Sequence, residues 1–237
     1  MIRSLIHAVA YWLITLVAAI VCALLALWPG RGPLSFGIRV YGRAQILALR
    51  WIAGVQIEVR GRERLPDGPT VIAAKHQSWG DGFVMVAEFP GLAFVAGDHL
   101  LKFPLVGWIL NRLGAIVLSN NGGEAERQRM QTGLLGLKRT RRSVLIYPEG
   151  HLAAPGEAHR YRKGVFHLYD DLQRPCTPVA TNLGLAWDRQ SFRKRPGRVT
   201  VEFLDAIEPG LAKEDFMSRL QTVIEARTNA LVAEGRA

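Results

Sequence analysis

Cysteine is scarce in this 237-residue chain. Cys22 and Cys176 are the only two, too few for a disulfide framework, and no zinc-ligand spacing surrounds them. Acid is missing from the first 50 residues, which carry five arginines, Arg3, Arg31, Arg39, Arg43 and Arg50. Charge of either sign is missing from residues 4 to 28. Long apolar runs are missing everywhere else, which excludes a multi-span transporter. Low-complexity tracts and internal repeats are absent too, and a 21% share of charged residues does not describe a disordered chain. The length suits one domain with an N-terminal appendage.

The uncharged run sets the first expectation. Its 25 residues would reach about 37 Å as a helix, against about 30 Å of hydrocarbon. Trp12 lies within it, Trp28 at its end, and Pro29-Gly30 stops it. It is too long for a signal-peptide core and has no small-x-small cleavage site, so it reads as a retained membrane helix. Whether it spans or dips into one leaflet stays open. Four of the first five arginines follow it, and the positive-inside rule then puts the remainder on the cytoplasmic face. Residues 34 to 53 read as a second, amphipathic helix, with Leu34, Ile38, Tyr41, Ile46, Leu49 and Ile52 among Arg39, Arg43 and Arg50. That pattern suits an anionic headgroup layer or an ordinary helix packed on the domain. The division expected is 1–53 for the membrane-anchoring helices and 54–237 for the remaining domain.

The net charge of +10 gathers in two further clusters: Lys138, Arg139, Arg141 and Arg142, then Arg189, Arg193, Lys194, Arg195 and Arg198. No recognition helix and no aromatic-interleaved binding pattern accompanies them, so no nucleic-acid partner is expected. Anionic lipid is the simpler partner.

From residue 54 onward, short apolar runs alternate with amphipathic segments. Strands are expected at 55–59, 70–74, 93–96, 115–118, 143–147, 177–180 and 199–204. Helices are expected at 80–88, 100–112, 124–140, 164–172 and 212–234. Such alternation implies an α/β fold with a mixed, mostly parallel sheet flanked by helices.

The chemistry centres on Lys75-His76-Gln77-Ser78-Trp79-Gly80-Asp81. His76 follows a buried-looking strand and precedes Asp81 by five residues, at the carboxyl edge where α/β proteins bind ligands. The spacing lets Asp81 accept a hydrogen bond from one imidazole nitrogen and leaves the other free as a general base. Alone, this is a weak motif, equally read as a loop histidine beside an N-capping aspartate. It is followed in order by Lys102-Phe103-Pro104-Leu105-Val106-Gly107-Trp108, by Tyr147-Pro148-Glu149-Gly150, by Tyr161-Arg162-Lys163-Gly164, and by Pro175-Cys176-Thr177-Pro178-Val179. No Gly-x-Ser-x-Gly is present, and Ser78 has no base of its own, which argues against an acyl-enzyme. The histidines and acids do not cluster at metal-ligand spacing, so no metal site is expected.

The ordered set resembles the glycerolipid acyltransferase family, whose best-known members act on 1-acyl-glycerol-3-phosphate. That family's blocks are His-x4-Asp, Pro-x-x-Gly-Trp, Phe-Pro-Glu-Gly-Thr-Arg and Val-Pro-Val, and the resemblance covers roughly residues 55 to 210. It implies that His76 deprotonates a lysolipid hydroxyl, which attacks the thioester of acyl-CoA or acyl-carrier protein, while Asp81 orients the imidazole. It implies no cofactor beyond that co-substrate. Backbone N–H groups and Lys102 are the candidates for stabilising the oxyanion, and Glu149 and Gly150 for lining the acceptor pocket. Three cations of the family pattern are replaced: Gly97-Asp98-His99 stand before the second block, Asn120 ends it, and His151-Leu152 follow Pro-Glu-Gly. Leucine cannot imitate a forked arginine donor. Either other cations (His99, Lys102, Arg112, His151, Arg162, Lys163) hold an acceptor phosphate, or the acceptor is a lysophospholipid or lyso-aminolipid without a phosphate monoester. A non-catalytic lipid-binding membrane protein of the same fold is the remaining alternative.

Overall fold

The structure is a computed structural model and describes residues 1–103, 105–119 and 123–236. Seven strands form one sheet: β1 (Val55–Arg60), β2 (Val71–Ala74), β3 (Ala93–Gly97), β4 (Ile116–Leu118), β5 (Val144–Ile146), β6 (Cys176–Thr181) and β7 (Gly197–Phe203). Their order is β1-β7-β6-β2-β5-β3-β4. Every pairing is parallel except β6 with β7, which is antiparallel. All seven expected strands are present within a residue or two, as is the mixed, mostly parallel sheet.

Helices cover both faces, which is why the central strands read as continuous apolar runs. Side chains alternate across β2 and β5. Val71, Ala73, Val144 and Ile146 point toward α5 (Glu124–Arg139), α6 (Gly164–Leu172) and α7 (Lys213–Glu234), where Leu134, Leu168, Phe216 and Leu220 complete one core. Ile72, Ala74 and Leu145 point to the other face, onto Val84 and Met85 of α3 (Gly80–Glu88).

The expected helix over 100–112 divides. A 3-10 segment, Asp98–Lys102, precedes α4 (Val106–Leu113). Phe103 is extended, at φ −84 and ψ 130, because the residue before a proline is pushed out of the helical region; Pro104 itself lies outside the described residues.

The N-terminal run forms α1 (Ile2–Leu25), and α2 (Gly32–Ala48) follows, with Pro33 in its first turn. α2 passes into a π-helical turn, Leu49–Ala53, that ends on Gly54 at φ +73. Gly42 of α2 meets α3 so closely that an added Cβ would lie 2.8 Å from the Phe83 carbonyl oxygen. Arg39 donates to the Ala87 carbonyl at the end of α3 (3.0 Å), so this arginine is spent on packing. Leu49 and Ala53 share a core with Val55, Leu183, Trp187 and Val199. Several other basic residues also hold the fold. Arg142 donates to the carbonyls of Gly91, Leu92 and Leu113, and Lys194 is buried over the Trp187 ring, 4.3 Å from its centroid.

Candidate active site

β2 and β5 are parallel neighbours, so the segments leaving their carboxyl ends emerge side by side. One brings His76 and the other Tyr147. The chain turns sharply after His76, and Asp81 enters the first turn of α3, where the helix dipole favours a carboxylate. Asp81 Oδ2 accepts the backbone N–H groups of Gln77 (2.7 Å) and Ser78 (2.8 Å). The same oxygen lies 3.1 Å from His76 Nδ1. The carboxylate accepts, so Nδ1 carries the proton and Nε2 keeps its lone pair. The imidazole is stacked on the Tyr147 ring, 3.8 Å between centroids and 15° between planes. Ser78 is buried, and its hydroxyl accepts the Gly80 N–H (3.0 Å); it shapes the turn.

The second loop closes at Gly150, whose N–H donates to the Tyr147 carbonyl (3.0 Å). Glycine is required here twice over. Its φ is +73, and a Cβ would stand 2.7 Å from Arg162 Nε. The Arg162 guanidinium therefore lies directly on the Pro-Glu-Gly turn. His151 packs edge-on against His159, 4.3 Å between centroids. Burial, followed by the charges of His159, Arg162 and His76, lowers the His151 imidazole below its ordinary value against a backbone hydrogen bond that raises it.

Glu149 turns away from this surface. It is 1% exposed, with one oxygen 2.9 Å from Lys75 Nζ. That ammonium, fully buried, also donates to both oxygens of Glu225 on α7 (2.8 and 2.9 Å) and to the Glu157 carbonyl (2.8 Å). Tyr161 donates to Glu225 as well (2.9 Å). One ammonium thus faces two carboxylates. Burial raises the Glu149 carboxyl above its ordinary value, Lys75 opposes the rise, and Glu225 adds to it.

A cavity of about 1980 Å³ opens in front of His76. Tyr11, Leu16 and Ile20 of α1, with Phe83, Val86 and Phe94, make one wall apolar. Arg127, Arg162, Lys163 and His167 also line the cavity. Of the residues singled out in the sequence, His76, Gly150, His151, Arg162 and Lys163 line this space. Asp81 stands behind His76. Glu149 and Lys102 are not among the residues that line the cavity: Glu149 is in the buried ion pair, and Lys102 is exposed on the 3-10 turn. Arg112 does not reach it either, because it donates to the Ala26 and Trp28 carbonyls behind α1 (2.8 Å each). At the replaced positions, His99 and Leu152 line the cavity, while Asn120 lies outside the described residues. Among the described residues, no group of three or more His, Cys, Asp or Glu is placed to hold a metal ion.

Glu225 and the ring stack lie outside every sequence motif. Lys75, Tyr147 and Tyr161 did stand inside the motifs, and the charge of the first and the aromaticity of the other two were the signals to follow. Chemically, the arrangement offers an imidazole oriented by a carboxylate at Nδ1, opening onto a space lined by both apolar and cationic side chains.

Comparison with known proteins agrees with this geometry. The family profile described as Acyltransferase matches residues 56–182. A 1-acyl-sn-glycerol-3-phosphate acyltransferase of Pseudomonas aeruginosa is 30% identical over 235 residues, 97% of this chain and 90% of its own. One from Limnanthes alba is 29% identical over 198 residues, 82% of this chain and 69% of its own. The crystal structure of the 1-acyl-sn-glycerophosphate (LPA) acyltransferase PlsC from Thermotoga maritima superposes with a TM-score of 0.79 at 20% identity, over 97% of this chain and 96% of its own. That last likeness fixes the fold, and the profile and sequence relatives fix the lineage: the chain is an enzyme of the acyltransferase family.

Proposed function

We propose that this enzyme moves an acyl chain from acyl-CoA or acyl-carrier protein to the hydroxyl of 1-acyl-glycerol-3-phosphate at a membrane surface. The observation that carries the proposal is the His76–Asp81 pair, with its free nitrogen opening onto the half-apolar cavity. His76 Nε2 takes the hydroxyl proton as the acceptor oxygen attacks the thioester carbonyl. Asp81 stabilises the imidazolium that forms. Collapse of the tetrahedral intermediate breaks the C–S bond, and the imidazolium returns its proton to the leaving thiolate. The ester, the free thiol and a neutral His76 remain, without an acyl-enzyme.

The acceptor's phosphate is read as a ligand of Arg162 and Lys163, which approach from β5's outgoing loop and α6. They stand in for the cation replaced by Leu152. The acyl chains run along the wall built from α1. That helix supports the membrane assignment through its mean hydropathy of 2.5, with only 11% of its most apolar window buried. The arginines that follow it favour the cytoplasmic face.

The test is an acceptor panel on detergent-purified enzyme, with both donor types and mass-spectrometric readout. Lysophosphatidate should be acylated, and His76→Ala should abolish the product while the thermal transition stays in place. Leu152 favours a second reading, in which the preferred acceptor is a lysolipid lacking a phosphate monoester. Faster turnover of such a lysophospholipid or lyso-aminolipid would replace the first reading.

A further inference from the structure

Two buried polar atoms beside the base are unaccounted for. Three groups converge on Asp81 Oδ2, but Asp81 Oδ1 is buried without a hydrogen-bond partner among the described residues. Tyr147 Oη is in the same condition. The two belong to one spot. The Tyr147 ring lies flat on His76, and its hydroxyl reaches α3 beside Asp81, 3.9 Å from where a Cβ on Gly82 would be. The hydroxyl is held in its protonated form by burial and then by the Asp81 charge, so it is a donor. The carboxylate oxygen is an acceptor. Leaving a buried donor and a buried acceptor unmet is costly, and joining them removes both costs at once.

We propose that Tyr147 is a positioning residue: its hydroxyl donates to Asp81 Oδ1 through one ordered water and makes the His76–Asp81 pair a relay of three side chains. The family motif set out above has phenylalanine at this place, where this chain carries a hydroxyl. It performs two tasks. It stops the carboxylate from rotating about its Cβ–Cγ bond, which keeps Oδ2 on Nδ1. It also draws charge from that carboxylate, so the imidazolium is held less tightly and surrenders its proton more readily. The inference rests on reading His76 as the base.

Tyr147→Phe removes one oxygen and keeps the ring on His76. The ionisable groups facing His76 are Asp81 from α3, Tyr147 and His151 from the β5 loop, and Asp188 and Arg189 from the loop hydrogen-bonded to Gln77 and Trp79. Only the hydroxyl differs between the two proteins. In the full-length variant kcat should fall about tenfold, with KM for both substrates within about twofold. The acid limb of the kcat profile should move to higher pH by about half a unit. The same displacement should appear in the His76 ring 15N titration in detergent micelles, assigned with His76→Asn. Unchanged kcat with superposing acid limbs and ring titrations would overturn the proposal. The ring titration needs no turnover, so an enzyme that acylates no lysolipid would defeat the reaction proposed above while this contact was still decided.

Discussion

Ser4, in the first turn of the apolar helix, exchanges hydrogen bonds with the backbone of Lys194. Its hydroxyl accepts the Lys194 N–H at 3.0 Å and donates to the Lys194 carbonyl at 3.4 Å. Arg112 holds the Ala26 and Trp28 carbonyls at the other end. Both ends of α1 are thus tied to the body that carries the sheet. A helix of this length crossing the bilayer would carry Ser4 about 33 Å from Ala26, to the far side. With both ends held on one body, a position along one leaflet is the outcome to test. Ile2→Cys and Ala158→Cys should therefore be labelled by an impermeant maleimide from the same side of the membrane. Labelling of Ile2→Cys from the opposite side would show a spanning helix.

The outward face of α1 should bind lipid without being needed for folding. Leu13 and Val17 are 58% and 59% exposed, one helical turn apart. Replacing both with glutamate puts two charges where acyl chains would lie, at about 2–3 kcal/mol each on insertion scales. The double variant should leave vesicles in a sedimentation assay while its thermal unfolding in detergent stays within about 2 °C of the parent. A large loss of stability would mean that this face packs against protein.

Lys75 decides whether the two active-site loops stay together. Lys75→Met leaves the Glu149 and Glu225 carboxylates facing one another without their shared ammonium. Breaking a buried ion pair from one side costs about 3–5 kcal/mol, far more than an exposed pair such as Arg62–Glu88 contributes. The pH dependence has a defined sign. The Glu149 carboxyl is already raised in the folded protein, and removal of Lys75 takes away an influence that lowers it. A raised carboxyl favours folding below the unfolded value and loses that contribution as pH climbs through the folded one. The deficit of Lys75→Met should shrink toward pH 5 and grow toward pH 8, read as the shift in melting temperature. A deficit independent of pH would contradict the assignment of charge in this cluster.

Much of the architecture was legible because local patterns agreed with the final packing. The apolar runs of β2, β5 and β6 are buried on both faces, and His76 and Asp81 meet within a single turn, so six residues of sequence contain the whole relationship. What stayed hidden depended on partners far away in the chain. Glu149 looks like a pocket residue until Lys75 and Glu225, on two other elements, are folded against it. Arg112 looks like a free cation until α1 brings the Ala26 carbonyl to it. Lys102 stands beside the motif in sequence, but it is exposed on the 3-10 turn.

Asp81→Asn should separate orientation from charge. Asparagine can still accept the Gln77 and Ser78 N–H groups, so the turn into α3 survives. Its amide cannot stabilise an imidazolium, and it permits the other tautomer. A fall in kcat on the order of 10³ to 10⁴ is expected, with little change in melting temperature. A loss below tenfold would make Asp81 a helix cap and no more.

Arg162 should decide whether an acceptor phosphate is recognised. It lies on the Gly150 turn and lines the cavity beside His151, where the family motif's arginine is replaced by Leu152. His151 is lowered below the ordinary imidazole value, so at neutral pH it adds hydrogen bonding but little charge. Permanent charge on the cavity wall then comes from Arg162 and Lys163, with Arg127 and Arg189 also lining it. A charge-assisted hydrogen bond contributes about 1.5–3 kcal/mol. Arg162→Leu should therefore raise KM for lysophosphatidate about 10- to 100-fold, and KM for lysophosphatidylcholine much less, because its phosphate is capped and its head group is zwitterionic. Arg162→Lys should recover only part of the loss, since an ammonium lacks the forked geometry. Equal effects on the two acceptors would reduce Arg162 to a brace for the turn, and the absence of a leucine-compensating cation would then favour an acceptor without a terminal phosphate.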